Sequence, residues 1–170
     1  MSRELFVIDV DGTMTDGTVY YDNTGNEFKK FNVKDAAGFF AIHADNSEVM
    51  VLTGRECIAT EKRMKELKVD YLFQNIRNKD EFLSDFMKKN CLDKRKIVYI
   101  GDDLNDFAAM KLADIVYCPK DACTEIKRIA QYVSKKCGGD GAVRDIIEYH
   151  YRKENKWGKL IEQIYYKGGI

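Results

Sequence analysis

The stretch Leu5-Phe-Val-Ile-Asp-Val-Asp-Gly-Thr13 begins as an apolar run typical of a buried β-strand and ends in two carboxylates and a turn. Four more short apolar runs follow, at residues 48–52, 71–73, 97–100 and 115–117. They alternate with longer patterns that are typical of helices, at residues 36–44, 56–67, 81–90, 104–112 and 122–129. Because strands that alternate with helices pair in parallel and are covered on both faces, the sequence predicts a three-layer, doubly wound α/β fold.

The composition fits a globular domain and argues against several classes of protein. The chain has 170 residues, and its 28 basic and 28 acidic residues give a net charge of zero. That balance argues against binding to nucleic acid or to a membrane surface through a basic field. No apolar run approaches the ~18 residues that cross a bilayer. We therefore expect a cytoplasmic protein that binds neither nucleic acid nor membrane.

The cysteines give no sign of a metal cluster or of disulfides. There are five of them, an odd number, without a Cys-x-x-Cys pair, and only two histidines accompany them. Zinc clusters need more such ligands at closer spacing. We expect the cysteines to be reduced and mostly buried.

One segment interrupts the alternation of strands and helices. Residues 18–32 contain two strand-like stretches around the turn Asn23-Thr-Gly-Asn26, which predicts a β-hairpin inserted after the first strand. An isolated hairpin is only marginally stable in water. Its aromatic residues therefore need a partner surface, either the body of the domain or, as we favour, another subunit. These residues are Tyr20, Tyr21, Phe28 and Phe31.

Two local expectations follow from the same patterns. In the helix predicted at 56–67, Ile58, Met64 and Leu67 can share a buried face, with Glu61, Lys62 and Lys65 turned outward. Asp121 follows the only proline of the chain and precedes a helical pattern, so it is predicted to cap that helix.

Polar side chains gather where the predicted strands end, and this edge of an open parallel sheet is where ligands bind. The residues are Asp9, Asp11, Gly12 and Thr13 after the first strand, Thr53, Gly54 and Arg55 after the second, Lys79 before a helix, and Asp102, Asp103 and Asp106 after the fourth. A carboxylate within an apolar strand, as at Asp9, is costly unless it is paired or bound to a metal. Several carboxylates at one point need a cation, and oxygen ligands favour Mg²⁺.

This set of groups suits the chemistry of a phosphoryl group. Mg²⁺ and Lys79 would draw charge from the phosphoryl oxygens, while Thr53 and backbone N–H groups hold them. One aspartate can attack phosphorus to form an aspartyl-phosphate. A second can protonate the leaving oxygen and then deprotonate water, a division of labour that Asp9 and Asp11 fit.

The order of these motifs resembles that of the haloacid dehalogenase superfamily of phosphohydrolases. The matching segments are Asp9-Val-Asp-Gly-Thr13, Leu52-Thr-Gly54, Lys79 and Gly101-Asp-Asp-Leu-Asn-Asp106. The resemblance implies a Rossmann-like sheet with Asp9 as nucleophile and Asp11 as general acid/base. It further implies that Thr53, Gly54 and Lys79 contact the phosphate.

The same resemblance implies a metal site and supporting groups. Mg²⁺ would be held by Asp9, the carbonyl of Asp11 and Asp102. Asp103 and Asp106 would orient the waters of the metal and Lys79.

Other features resemble, within this superfamily, the phosphatases of 3-deoxy-D-manno-octulosonate (KDO) 8-phosphate. These features are a hairpin with no larger cap, Asn32-Val-Lys-Asp35, Thr53-Gly-Arg55 and Gly138-Gly-Asp-Gly-Ala-Val-Arg144. The resemblance implies a phosphatase domain at 1–151 with a hairpin flap at 18–32, and an extension at 152–170. It also implies a homotetramer in which the hairpins assemble and neighbouring subunits close the active site. Lys34, Asp35, Arg55 and Arg144 would then face the sugar acid.

The extension after residue 151 goes beyond the usual end of such domains. In it, Leu160, Ile164 and Trp157 form one apolar stripe, which is typical of a docking helix.

Alternatives to this substrate and function stay open. The hairpin and residues 68–74 also resemble phosphatases of nine-carbon sialic-acid-type (N-acylneuraminate or KDN) 9-phosphates, and cationic side chains suit the carboxylate of either sugar acid. Similar modules accompany sialic acid cytidylyltransferases, so a weakly active oligomerisation module is a further alternative. A signalling receiver domain is disfavoured because its phosphoacceptor aspartate ends a mid-chain strand, where this chain has Thr53 and Gln74.

Overall fold

The computed structural model describes residues 3–92 and 95–166. The strands are β1 (Glu4–Ile8), β2 (Tyr20–Tyr21), β3 (Glu27–Phe28), β4 (Glu48–Leu52), β5 (Tyr71–Phe73), β6 (Lys96–Ile100), β7 (Ile115–Cys118) and β8 (Tyr132–Val133). The helices are α1 (Ala36–Ala44), α2 (Ile58–Glu66), α3 (Lys79–Lys89), α4 (Leu104–Met110), α5 (Thr124–Ile129), α6 (Ala142–Lys153) and α7 (Trp157–Ile161). A 3₁₀ turn at Val33–Asp35 precedes α1, and a π turn at Glu162–Tyr166 follows α7.

The central sheet has six strands in the order β5-β4-β1-β6-β7-β8, and every pairing is parallel. Side chains of β1 alternate between the two faces, with Phe6 and Ile8 in one core cluster and Leu5 and Val7 in the other. Helices α1, α6 and α7 cover the first face, and α3, α4 and α5 cover the second. The predicted three-layer, doubly wound α/β fold is confirmed.

The hairpin at residues 18–32 forms a separate two-stranded antiparallel sheet of β2 and β3. Asp22 organises its turn, because its carboxylate accepts hydrogen bonds from the backbone N–H groups of Thr24 and Asn26. Phe31 packs against the core, whereas Tyr20, Tyr21 and Phe28 remain exposed in this single chain.

The C-terminal stripe packs into the core of its own chain. Trp157, Leu160 and Ile164 are buried in the same cluster as residues of α1 and α6. Helix α7 therefore docks within the domain, on the face of the sheet that α1 covers.

Two local expectations were wrong. Ile58 is 83% exposed because positions 58 and 67 lie about 180° apart around a helix, whereas Met64 and Leu67 are buried as predicted. Asp121 does not cap α5, whose N-cap is Cys123. The Asp121 carboxylate instead accepts a hydrogen bond from the backbone N–H of Gly138 at 2.9 Å and so fastens the glycine loop before α6.

No helix among residues 3–92 and 95–166 is long and apolar enough to cross a membrane.

Candidate active site

The predicted site residues come together because β1 lies between β4 and β6. The ladder continues just past the strands, as the N–H of Asp9 donates to Ile100 O at 2.9 Å and that of Thr53 donates to Phe73 O at 3.0 Å. Asp9, Thr53 and Asp102 therefore project from neighbouring positions along one edge of the sheet.

A buried ion-pair triad occupies the centre of this edge. The Lys79 ammonium donates to Asp9 Oδ1 at 2.6 Å and to Asp106 Oδ1 at 2.7 Å, and the Lys79 residue is 1% exposed. Burial alone would lower the pKa of Lys79, but the adjacent carboxylates of Asp9 and Asp106 outweigh it and raise the pKa. Tyr99 adds a hydrogen bond to Asp106 Oδ1 at 2.9 Å, so Asp106 holds Lys79 in place.

Asp102 lies beside the triad on the loop after β6. Its Oδ1 accepts a hydrogen bond from Thr13 Oγ1 at 2.8 Å. Burial raises the pKa of Asp102 to about 7, with repulsion from Asp106 and Asp103 added and the hydrogen bond of Thr13 opposing. A Cβ atom on Gly12 would overlap Asp102 Oδ2, so glycine is required for this approach.

The carboxylates fit a divalent cation. Asp9, Asp102 and Asp106 each offer one oxygen, and these oxygens lie within 4.8 Å of one another. The pKa of Asp9 is raised well above its usual value by burial and by repulsion from Asp106, although Lys79 opposes this. The cluster is thus short of positive charge, and a hard ion such as Mg²⁺ would supply it through oxygen ligands.

The Asp11 side chain contacts the hairpin and Thr53. Its Oδ1 pairs with the ammonium of Lys29 from the hairpin, and its Oδ2 lies 3.5 Å from Thr53 Oγ1. Of the three predicted metal ligands, the structure brings the side chains of Asp9 and Asp102 together, while that of Asp11 contacts Thr53 and the hairpin. The contact between Asp11 and Thr53 joins the loops after β1 and β4.

Arg55 and Lys34 lie on the surface near the hairpin. Arg55 reaches the hairpin, where its Nη2 donates to Glu27 Oε2 at 2.9 Å and to Tyr21 Oη at 3.2 Å. Gly54 stays half-buried between Thr53 and Arg55, and Lys34 is exposed on the 3₁₀ turn.

Asp35 and Arg144 make contacts with neighbouring elements rather than with the cluster. Asp35 is 2% exposed, and its Oδ1 accepts a hydrogen bond from the backbone N–H of Arg144 at 3.0 Å. The Arg144 guanidinium pairs with Glu148 at 3.2 Å and lies over the Trp157 ring at 4.8 Å.

Asp103 is exposed and caps α4, because its carboxylate accepts a hydrogen bond from Leu104 N at 2.8 Å.

Sequence reasoning missed roles for three residues. Thr13 lies within a recognised motif, yet its hydrogen bond to Asp102 depends on a fold that brings residues 13 and 102 together. Tyr99 had a weak signal, as a polar hydroxyl in an otherwise apolar strand. Lys29 had no signal in the sequence, because the next residue, Lys30, is also a lysine and only the folded hairpin distinguishes the two.

Comparisons with known proteins point to one group. A family model described as haloacid dehalogenase-like hydrolase matches residues 71–147. The KDO 8-phosphate phosphatase of Escherichia coli (strain K12) is 35% identical over 144 residues, which are 85% of this chain and 77% of that protein. The corresponding phosphatase of Yersinia pestis is 33% identical over the same length and shares.

Solved structures agree with the sequence relatives. The KDO 8-phosphate phosphatase of Moraxella catarrhalis, in complex with magnesium ion, phosphate ion and KDO, superimposes with a TM-score of 0.86 at 31% identity. That match covers 94% of this chain and 91% of that one. The cobalt-bound phosphatase of the same name from Haemophilus influenzae has a TM-score of 0.83 at 28% identity, covering 92% of this chain and 91% of that one.

Gly12→Ala tests the requirement for a bare backbone beside Asp102. The variant should lose most of the rise in Tm that Mg²⁺ gives the unsubstituted protein, because the added Cβ displaces the Asp102 carboxylate. Gly25→Ala is the matched control, since Gly25 also has a positive φ but no atom within 4 Å of the position that a Cβ would take, and each variant bears a backbone strain of about 1 kcal/mol. An equal Mg²⁺ response in the two variants would contradict the close approach of Gly12 and Asp102.

Asp35→Asn tests the ionisation of a buried carboxylate. Burial raises the pKa of Asp35 to about 6, against the hydrogen bond from Arg144 N and the charges of Arg63 and Arg144. The folded state then binds a proton more tightly than the unfolded state, so wild-type stability falls as pH rises from about 4 to about 6. Relative to wild type, the variant should gain up to about 3 kcal/mol between pH 4 and pH 7.5 in urea unfolding. Parallel stability profiles would show that Asp35 is not buried in this way.

Proposed function

Because the chain belongs to the haloacid dehalogenase-like hydrolase family and is a phosphoric monoester hydrolase, we propose that it removes the phosphate group of KDO 8-phosphate, a 2-keto-3-deoxy sugar acid. The observation that carries the proposal is the likeness to phosphatases of this ester over nearly the whole chain, in sequence and in structure. The buried group of Asp9, Lys79 and Asp102 at the carboxyl edge of the sheet provides the matching chemistry.

Asp9 is the nucleophile in this proposal. Lys79 binds Oδ1 of Asp9, which leaves Oδ2 to attack phosphorus. As the Oδ2–P bond forms, the ester P–O bond breaks, and the leaving oxygen takes a proton from Asp11. Water then attacks the aspartyl-phosphate and gives a proton to Asp11, so that phosphate leaves and both carboxyl groups return to their first state.

The remaining groups hold the phosphate and the cofactor. In this proposal Lys79, Thr53 and the backbone at Gly54 contact phosphoryl oxygens. We assign Mg²⁺ to Asp9, Asp102 and the carbonyl of Asp11, since the clustered carboxylates fit a hard cation. When bound, the ion neutralises charge on the phosphoryl oxygens.

Arg55 is our candidate for recognising the sugar acid. It lies at the end of the loop after β4 and is held by Glu27 and Tyr21 of the hairpin. A guanidinium at this rim suits a carboxylate of the substrate. We also propose that Lys34, Asp35 and Arg144 contact the sugar acid. In that arrangement, binding of the substrate or of a neighbouring subunit changes the contacts that these three residues make in the single chain.

We further propose that the hairpins of several copies assemble, in a homotetramer, near the active sites. The support is the exposed apolar surface of the hairpin, where Phe28 is 56% and Tyr21 is 63% exposed in the single chain.

The cysteines are all free, which suits a reducing cytoplasm as the compartment.

A substrate panel tests the proposed reaction. Phosphate release should be strong with KDO 8-phosphate, much weaker with N-acetylneuraminate 9-phosphate, and lost after EDTA treatment and restored by Mg²⁺. Faster release from the nine-carbon ester would overturn the choice of sugar. Folded protein that releases phosphate from neither ester would favour an oligomerisation module instead.

Asp9→Asn tests the covalent mechanism. We expect kcat to fall at least about a thousandfold, because an amide cannot replace the nucleophile. Asp85→Asn, an exposed position on α3, should retain wild-type activity and serves as the control. Near-normal turnover by the folded Asp9 variant would exclude an aspartyl-phosphate on Asp9.

Phe28→Ser tests the assembly. Light scattering after size-exclusion chromatography should give a tetramer for the wild type and smaller species for the variant, because the exposed ring is lost from the hairpin surface. Leu112→Ser is the control, since Leu112 is 48% exposed but follows α4, away from the hairpin. A monomeric wild type, or a tetrameric Phe28 variant, would contradict assembly through the hairpins.

A further inference from the structure

Lys29 points inward from a hairpin on which Tyr20, Tyr21 and Phe28 are exposed. Its side chain is 3% exposed, whereas that of Lys30, the next residue, is 54% exposed and pairs with Asp140 on the surface. Successive side chains alternate along an extended chain, so the fold turns one lysine towards the domain and the other towards solvent.

The Lys29 ammonium is held by two carboxylates. It pairs with Asp11 Oδ1 and, at 3.2 Å, with Glu27 Oε1. A buried ammonium is costly unless it is paired in this way, so Lys29 depends on its contacts with Asp11 and Glu27.

The ion pair fixes the direction of the Asp11 carboxyl group. Lys29 occupies Oδ1, and Oδ2 lies 3.5 Å from Thr53 Oγ1, on the side where Thr53 is placed to hold the phosphoryl group. Proton transfer requires such an orientation, because a carboxyl oxygen must come within hydrogen-bond reach of the ester oxygen.

We propose that Lys29 is a positioning residue for ester cleavage, which orients Asp11 towards the leaving oxygen. This inference rests on the proposed function. In the first step Asp11 is the neutral acid, whose Oδ1 accepts a hydrogen bond from Lys29 while Oδ2 carries the proton. Asp9 bonds to phosphorus, the P–O ester bond breaks, and its electron pair stays on the leaving oxygen, which takes the proton from Asp11 Oδ2 and leaves Asp11 ion-paired with Lys29. In the second step water bonds to phosphorus, the bond between Asp9 and phosphorus breaks, and Asp11 receives the proton of that water and becomes neutral again. Lys29 keeps its own protons throughout.

The hairpin is thereby linked to both sides of the site. Glu27 binds Lys29 through Oε1 and Arg55 through Oε2, so one hairpin carboxylate connects the orientation of Asp11 with the position of Arg55. Lys29 is the member of this chain of contacts that touches Asp11.

Lys29→Met separates positioning from a role in holding the hairpin. Phenyl phosphate and 4-nitrophenyl phosphate differ in how much the leaving oxygen needs a proton. A misdirected Asp11 should therefore lower kcat/KM for phenyl phosphate about 30-fold but for 4-nitrophenyl phosphate only about threefold. Lys29→Arg should restore most of the loss for phenyl phosphate, because a guanidinium can still bind Asp11.

Lys30→Met is the matched control, and it should leave both values near those of the wild type because Lys30 is exposed. Equal losses with the two esters in Lys29→Met would overturn the positioning role and leave hairpin attachment as its function. Unchanged activity in Lys29→Met would overturn it as well. A wild-type protein that releases no phosphate from KDO 8-phosphate would refute the proposed function itself, whereas an active wild type with equal losses refutes only the role of Lys29.

Discussion

The site depends on the two ion pairs that the buried ammonium of Lys79 makes with Asp9 and Asp106. Removing an ammonium and two carboxylates from water is costly, and the cost is offset only where the groups hydrogen-bond closely. Tyr99 donates to the same Oδ1 of Asp106 that Lys79 binds, and the backbone N–H of Asp102 donates to its Oδ2, so the triad is held from several sides. Its remaining negative charge, added to that of Asp102, explains why the same edge of the sheet fits a divalent cation.

The sheet and the centre of the site were predictable from the sequence for a physical reason. Parallel strands covered on both faces read as continuous apolar runs, and residues that follow neighbouring strands meet at one edge. Asp9 interrupts such a run, so it was identifiable as costly without a partner. Lys79 could be placed at the start of a helix, but its pairing with Asp106 required the tertiary fold.

Contacts across long sequence separations were not predictable in the same way. Ile58 is apolar, yet the side of α2 that packs against the core carries Thr60 and Met64 instead. Asp121 is of a residue type that often caps helices, but its carboxylate binds the backbone N–H of Gly138 in the glycine loop instead. Asp35 lies in a motif that resembles a substrate contact, while the chain buries it against α6. Each of these outcomes is set by a neighbour that is remote in sequence.

The hairpin connects the fold to the chemistry, because its inner side carries Glu27 and Lys29 towards the site while Tyr21 and Phe28 are exposed. The central claim is that Asp9 carries the phosphoryl group beside a cation bound by Asp9 and Asp102. The most direct measurement is a crystal structure grown with Mg²⁺ and beryllium fluoride, which mimics an acyl-phosphate. We predict beryllium trifluoride bonded to an oxygen of Asp9, with Mg²⁺ coordinated by Asp9 and Asp102. Beryllium fluoride on another residue, or Mg²⁺ bound away from Asp102, would contradict it.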